Sequence, residues 1–200
     1  MCGIVGYIGK KPVYDILING LKRLEYRGYD SSGVMIHNEK TLIKKTKGKV
    51  SDLELLFKSP NEKLGSIGIG HTRWATHGPP NQINSHPHTS NSGEITLVHN
   101  GIIENYDSIK KILSKKGYVF HSDTDSEVLV NLIEDIKKTK KVKLGKAVYY
   151  ALKQVVGAYA IVVFDSKNPK EIVGARLGSP LAIGVGDSEY YFGSDATPFL

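Results

Sequence analysis

Cysteine is almost missing from this 200-residue chain: one thiol, Cys2, stands one position from its start. A single cysteine excludes an internal disulfide framework and fits a reducing compartment, so a cytoplasmic location is expected. No apolar run is long enough to span a bilayer, and the first residues lack the basic segment and apolar core of a secretory signal. No membrane partner is therefore expected. Arginine is scarce as well. Of 27 basic residues only Arg23, Arg27, Arg73 and Arg176 are arginine. That scarcity tempers the net charge of +7, which by itself raises nucleic acid as a partner. The lysines gather in runs at 44–49, 110–116 and 137–143, the pattern of solvated helix flanks, and no nucleic-acid motif accompanies them. Nucleic acid is not expected as a partner. Internal repeats and low-complexity linkers are absent too, so residues 1–200 read as one domain.

What is present begins with Met1-Cys2-Gly3-Ile4-Val5-Gly6-Tyr7-Ile8-Gly9. Removal of Met1 makes Cys2 the N-terminus and gives one residue both a thiol and a free α-amine. That amine has a pKa of about 7.7–8.0, so part of it is neutral at pH 7 and can accept a proton. The thiolate is the nucleophilic form of cysteine, so the amine is a built-in general base for it. Ile4, Val5, Tyr7 and Ile8 read as a buried strand.

Further along, Pro12 suits the first position of a helix whose apolar face is Val13, Ile16, Leu17, Leu21 and Leu24. A polar loop is expected over 27–33, a hairpin over 33–45, and a capping box at Ser51-Asp52-Leu53-Glu54. A strand over 66–71 delivers the chain to Arg73, just beyond it. An irregular segment then runs to about Gly93 and holds the one tryptophan, Trp74; this segment reads as a substrate lid. A strand over 94–99 follows, with Asn100-Gly101 as a tight turn. Helices are expected over 105–116, from Thr124 past Ile136, and from Leu144 through Val155, with a short strand at 118–120. The rest is strand and turn. Strands at both ends with helices between them predict an α+β or layered α/β domain with mainly antiparallel sheets.

Several polar residues fall at strand ends and turns, where sites are usually built. The fork of Arg73 suits bidentate binding of a carboxylate. Asp125 reads either as a first-turn acid favoured by the helix dipole or as a ligand-binding group. Asn100 with the Gly101 N–H reads either as a hairpin turn or as an oxyanion hole. His86-Pro87-His88 and the neighbouring histidines raise a metal, but no second cysteine and no helical His-x-x-x-His pair supports one. No metal and no cofactor is expected.

The segments Cys2-Gly-Ile-Val-Gly6, Leu24-Glu-Tyr-Arg-Gly-Tyr-Asp-Ser-Ser-Gly33, His71-Thr-Arg-Trp-Ala-Thr-His-Gly78, His86-Pro-His88 and Val98-His-Asn-Gly-Ile-Ile-Glu-Asn105 resemble the class-II glutamine amidotransferases. Ser122-Asp-Thr-Asp-Ser-Glu127, Gly157-Ala-Tyr-Ala160, Gly178-Ser-Pro-Leu181 and Gly193-Ser-Asp-Ala196 continue the match, which is weakest over 38–63. Within the family the chain is most similar to the branch that aminates fructose-6-phosphate. The resemblance implies an N-terminal nucleophile hydrolase fold, a four-layer α/β/β/α sandwich with two mainly antiparallel sheets. It implies that Cys2 attacks the side-chain amide of L-glutamine, that Asn100 and Gly101 hold the oxyanion, and that glutamate and ammonia leave. Arg73 would clamp the α-carboxylate and Asp125 the α-ammonium. Trp74, Thr76 and His77 would cover the glutamine, and Arg27 would support the nucleophile. Members of that branch continue into two sugar-isomerase domains that bind fructose-6-phosphate, and full-length members are expected to be homo-oligomers. The glutaminase domain is expected to be incomplete at its C-terminus here. The rival readings are the amidotransferase half of another class-II enzyme, a cysteine peptidase or other acylase, and a non-catalytic lysine-rich binding module.

Overall fold

The structure is a computed structural model and describes residues 2–74, 79 and 81–199. Among them, ten strands form two antiparallel sheets, and five α-helices cover the outer faces. The strand β1 (Gly3–Ile8) lies inside the larger sheet, between β4 (Ile67–Arg73) and β10 (Glu189–Gly193). Beyond β4 come β2 (Ser31–His37) and β3 (Thr41–Lys47); beyond β10 comes β9 (Ala182–Gly186). The smaller sheet orders β5 (His88–Thr89), β6 (Ile95–Ile103), β7 (Gly157–Asp165) and β8 (Ile172–Leu177).

Strand alternation assigns the layers. Ile4 of β1, Met35 of β2, Ile67 and Ile69 of β4 and Phe192 of β10 point inward. They meet Val98, Ala160, Val162 and Phe164 of the smaller sheet in a dry inter-sheet core. The other face of the larger sheet packs on α1 (Val13–Leu24) and α2 (Val50–Glu54). Leu17 and Leu21 of α1 are fully buried there, and each contributes roughly 1.5–3 kcal/mol on burial. They sit where β4 has glycines: a Cβ at Gly68 would lie 2.7 Å from Leu17, and one at Gly70 3.0 Å from Leu21. The glycine-interrupted sequence of β4 thus lets the helix lie close to the sheet. On the far side, α3 (Tyr106–Lys115), α4 (Asp125–Lys140) and α5 (Leu144–Leu152) bury their apolar faces on β6 and β7. The result is the four-layer α/β/β/α sandwich that the resemblance implied.

Pro12 is the residue before α1 rather than its first. The loop expected over 27–33 ends early, because Ser31 already pairs with Lys47 and Arg73. The helix expected to be capped at Ser51 starts at Val50 instead, and the Asp52 carboxylate accepts the Lys49 N–H at 3.0 Å. Residues 118–120 join no ladder; the Asn91 side-chain amide takes a strand's place, accepting the Val119 N–H and donating to its carbonyl, both at 2.8 Å. Asn100-Gly101 is no turn. Both residues lie within β6, paired with Ala160 and Tyr159 of β7. The segment read as a lid is, over 84–90, largely interior: Asn84, Ser85, His86, His88 and Ser90 are buried. Lys45 of β3 fastens it by donating to the Ser85 carbonyl at 2.7 Å.

Candidate active site

The start of β1 is fixed before any site residue is considered. Gly3 pairs with Thr72 of β4, and Val5 with Gly70 and with Gly193 of β10. Ile4 and Ser194 exchange hydrogen bonds, the Ile4 N–H to the Ser194 Oγ at 3.0 Å and the Ser194 N–H to the Ile4 carbonyl at 3.1 Å. These contacts set Cys2 at the end of β1 nearest Arg73 and Trp74, where β4 also ends.

Three donors then hold Cys2 itself. Its carbonyl accepts from Asn100 Nδ2 at 3.0 Å and from Arg27 Nε at 3.2 Å. Its Sγ accepts the Trp74 N–H at 3.2 Å and faces the Trp74 carbonyl at 3.5 Å. Burial pushes the Cys2 thiol up from its ordinary value, against the opposing pull of the Trp74 N–H and the Arg73 charge. Burial thus favours the neutral thiol, and a base that takes its proton makes it the nucleophile.

Arg27 reaches Cys2 because it lies in a 3₁₀ turn after α1, Glu25–Arg27. Asp195 holds it there: Arg27 Nη1 donates to Asp195 Oδ2 at 3.0 Å, and the Tyr26 hydroxyl donates to the same oxygen at 2.5 Å. Asp195, Ser194 and Tyr26 were not singled out from sequence as site residues. They lay within the quoted Leu24–Gly33 and Gly193–Ala196 segments, where no role attached to them.

Asn100 bridges the two sheets. Its Oδ1 faces His71 Nε2 of β4 at 2.9 Å while its Nδ2 holds Cys2. Next to it, Gly101 has φ +127°, and a Cβ there would stand 2.1 Å from the Ala158 carbonyl, so β6 needs glycine at this position. Arg73 is the last residue of β4 and is buried, with its guanidinium 3.5 Å from the Pro79 carbonyl. Asp125 opens α4; its Oδ2 accepts the Ile103 N–H at 2.8 Å, and Thr124 caps the helix by accepting the Glu127 N–H at 3.3 Å. The Glu127 carboxylate does not return to the Thr124 N–H. It turns back to the His121 and Ser122 N–H groups, at 3.0 and 2.7 Å.

Cys2, Arg73, Trp74, Gly101 and Asp125 line one crevice, with His71, His86, His99, Thr124 and Ser126. Asn100 and Arg27 join the site through the Cys2 carbonyl. The crevice brings together a thiol, a buried cation and a buried anion. Trp74 is 46% exposed at its mouth and meets Tyr29 edge-on at 5.7 Å. Thr76 and His77, the other expected glutamine-binding residues, lie outside the described residues. Among the described residues, no group of His, Cys, Asp and Glu is arranged to hold a metal ion. His86 instead stacks on His71, with ring centroids 4.1 Å apart, and His88 Nε2 meets the Thr124 hydroxyl at 3.1 Å.

A family profile described as "Glutamine amidotransferase domain" matches residues 58–200. The chain belongs to this family. Among the curated relatives of this amidotransferase domain, the glutamine–fructose-6-phosphate aminotransferase [isomerizing] of Bacteroides thetaiotaomicron is 56% identical over all of the chain and 33% of its own length. The enzyme of the same name from Pyrococcus horikoshii is 49% identical, again over all of the chain and 33% of its own length. The amidotransferase chain thus spans about a third of the relatives it matches. Among solved structures, the glutamine phosphoribosylpyrophosphate amidotransferase of B. subtilis superposes with a TM-score of 0.84 at 27% identity, covering 99% of this chain and 43% of that one. A glutamine aminotransferase class-II domain protein from Silicibacter pomeroyi, at 13% identity and a TM-score of 0.61, shares the fold.

The buried histidines at the amidotransferase crevice make the domain's stability depend on pH. Burial drives His71 down to about 3, partly offset by its bonds to Asn100 and the His99 carbonyl, and drives His86 and His88 well below their ordinary value. Their folded pKa values lie below the unfolded value of about 6.5. Below that pH the unfolded chain binds more protons, so their contribution is complete above about pH 6.5 and is lost as pH falls. Each depressed histidine costs about 1.4 kcal/mol per pH unit in that window. Denaturant titrations at pH 7.5, 6.0 and 5.0 should show stability falling by several kcal/mol across the series. Unchanged stability down to pH 5 would contradict the buried neutral rings.

Proposed function

We propose that the Cys2 thiol of this domain attacks the side-chain amide of L-glutamine, releasing ammonia and leaving a glutamyl thioester that water hydrolyses to glutamate. The single observation that carries the reading is the convergence of Cys2, Arg73 and Asp125 on one crevice. An α-amino acid is a zwitterion, and a buried guanidinium and a buried carboxylate complement its two charges. A side chain extended between them presents its amide to the thiol. Removal of Met1 frees the Cys2 α-amine as the base that the neutral thiol needs. Ammonia leaves from the tetrahedral intermediate, whose oxygen the Asn100 amide and the Gly101 N–H stabilise. Arg27 holds the Cys2 carbonyl and so keeps the nucleophile's backbone still.

Residues 1–200 are the glutaminase domain of a longer enzyme in this reading, and the full protein transfers the ammonia to fructose-6-phosphate to give glucosamine-6-phosphate. Relatives named for that reaction support it, each matched over the whole of this chain. The full protein is assigned to the cytoplasm, as a homo-oligomer. Among the described residues no helix is long and apolar enough to cross a membrane.

Glutamate release from free glutamine tests the hydrolysis directly, and Arg73→Lys tests substrate selection. A point charge replaces a bidentate fork, and a charged hydrogen bond is worth about 1.5–3 kcal/mol, so KM for glutamine should rise roughly tenfold or more. An unchanged KM would remove Arg73 from the substrate site.

A further inference from the structure

His71 has no role in the reaction as described, yet it is the residue that decides which way Asn100 faces. Its Nε2 lies 2.9 Å from Asn100 Oδ1 and 3.1 Å from the His99 carbonyl oxygen. The carbonyl is an acceptor whatever the side chains do, so Nε2 carries the proton. The other ring nitrogen, Nδ1, is buried and has no hydrogen-bond partner among the described residues. A neutral ring protonated at Nε2 alone is the state that fits these surroundings.

Such a ring discriminates between the two ends of the Asn100 amide. With the oxygen toward His71, Asn100 accepts the Nε2–H and donates to the Cys2 carbonyl at 3.0 Å. Turned over, the amide would set its NH₂ against the His71 N–H and its oxygen against the Cys2 oxygen, repulsive at both ends. The ring cannot swing away, because His86 stacks on it at 4.1 Å with 16° between planes, and His86 is held in turn by the His99 N–H on its Nδ1 at 3.3 Å.

We propose that His71 is a positioning residue: its Nε2–H locks the Asn100 amide with the NH₂ on the Cys2 side, where the oxyanion forms. The inference rests on the reading of Asn100 as an oxyanion donor. His71 lines the crevice, but its one ring proton faces Asn100 and the His99 carbonyl, so it acts through Asn100.

The test compares wild type, Asn100→Ala, His71→Leu, His71→Gln and the double variant His71→Leu/Asn100→Ala in the full chain, with kcat and KM for glutamine hydrolysis measured for each. His71→Leu should lower kcat about 10- to 100-fold, less than complete removal of an oxyanion donor, with KM changed by less than about threefold. His71→Gln, whose amide N–H can reach the same oxygens, should recover most of the loss. The double variant should be no slower than Asn100→Ala alone, because the two residues act as one unit. Multiplied losses in the double variant, equal kcat for His71→Leu and His71→Gln, or a normal kcat for His71→Leu beside an impaired Asn100→Ala would overturn the proposal while sparing the oxyanion reading. A normal kcat for Asn100→Ala would remove that reading first, and this inference with it. Should His71→Leu fail to fold, nitrogen-15 NMR of wild-type histidines decides. A ring protonated at Nε2 at neutral pH, whose signals move in Asn100→Ala, supports the proposal; one protonated at Nδ1 refutes it.

Discussion

Cys2→Ser is expected to lose glutamine hydrolysis by roughly four orders of magnitude or more, the scale seen when a nucleophile that works with its own base is removed. The structure gives the reason. The thiol already sits in surroundings that favour its neutral form, with burial outweighing the Trp74 N–H and Arg73. A hydroxyl is far harder to ionise than a thiol, so in the same place it is a poorer nucleophile still. The fold should be indifferent, because Cys2 contributes no core packing and β1 is held by β4, β10 and Ser194. Glutamate release and a thermal melt on the same sample check both halves. A serine variant retaining a tenth of wild-type turnover would exclude Cys2 as the nucleophile.

Asn100→Ala carries the second largest expected loss, about 100- to 1,000-fold in turnover. KM for glutamine should move much less, because the charge it meets develops only on the way to the transition state. The backbone of residue 100 is paired within β6, so alanine has a place in the ladder. What alanine removes is the amide that joins His71 to the Cys2 carbonyl. Steady-state kinetics settle the point. A folded variant with normal kcat would make Asn100 a bridge between sheets and nothing more.

The misreading of Asn100 shows where sequence reasoning stops. Asn-Gly is the strongest short hairpin signal because both residues tolerate positive φ. Here a strand runs through it, from Ile95 to Ile103, and β7 pairs with it along its whole length. Gly101 does take a positive φ, so the local chemistry was read correctly; the long ladder decided its context. Periodicity revealed α1, α4 and α5 and the outer strands, because an apolar stripe at helical spacing or an alternating strand reports its buried face directly. It could not reveal that His86 and His88 are interior. Polar residues in an aperiodic segment look solvated; stacking on His71, the His99 N–H and the Thr124 hydroxyl accommodate these two in the interior.

The site was legible in part and by another route. Cys2 stood out through its position, and Arg73 and Asp125 through their residue types near element ends. Their convergence is a property of the topology: β1 and β4 are neighbours and bring Cys2 to Arg73, while Asn100 crosses from the facing sheet. Spacings of tens of residues carry no such information, and the family resemblance supplied it. Asp195 and His71 drew no role from sequence because their partners are other site residues, Arg27 and Asn100, which only the folded chain brings to them. Thr76 and His77, expected over the glutamine, lie outside the described residues.

The most direct measurement pairs mass spectrometry of the mature N-terminus with a glutaminase assay on the same preparation. The chain beginning at Cys2 should release glutamate from glutamine, and a glutamine-mimicking electrophile should label Cys2, with excess glutamine protecting it. A chain that keeps Met1 retains the thiol but converts the α-amine to an amide, which cannot take the proton at neutral pH. It should fold and release no glutamate. Full activity in a preparation whose mass shows Met1 in place would contradict the N-terminal-nucleophile mechanism.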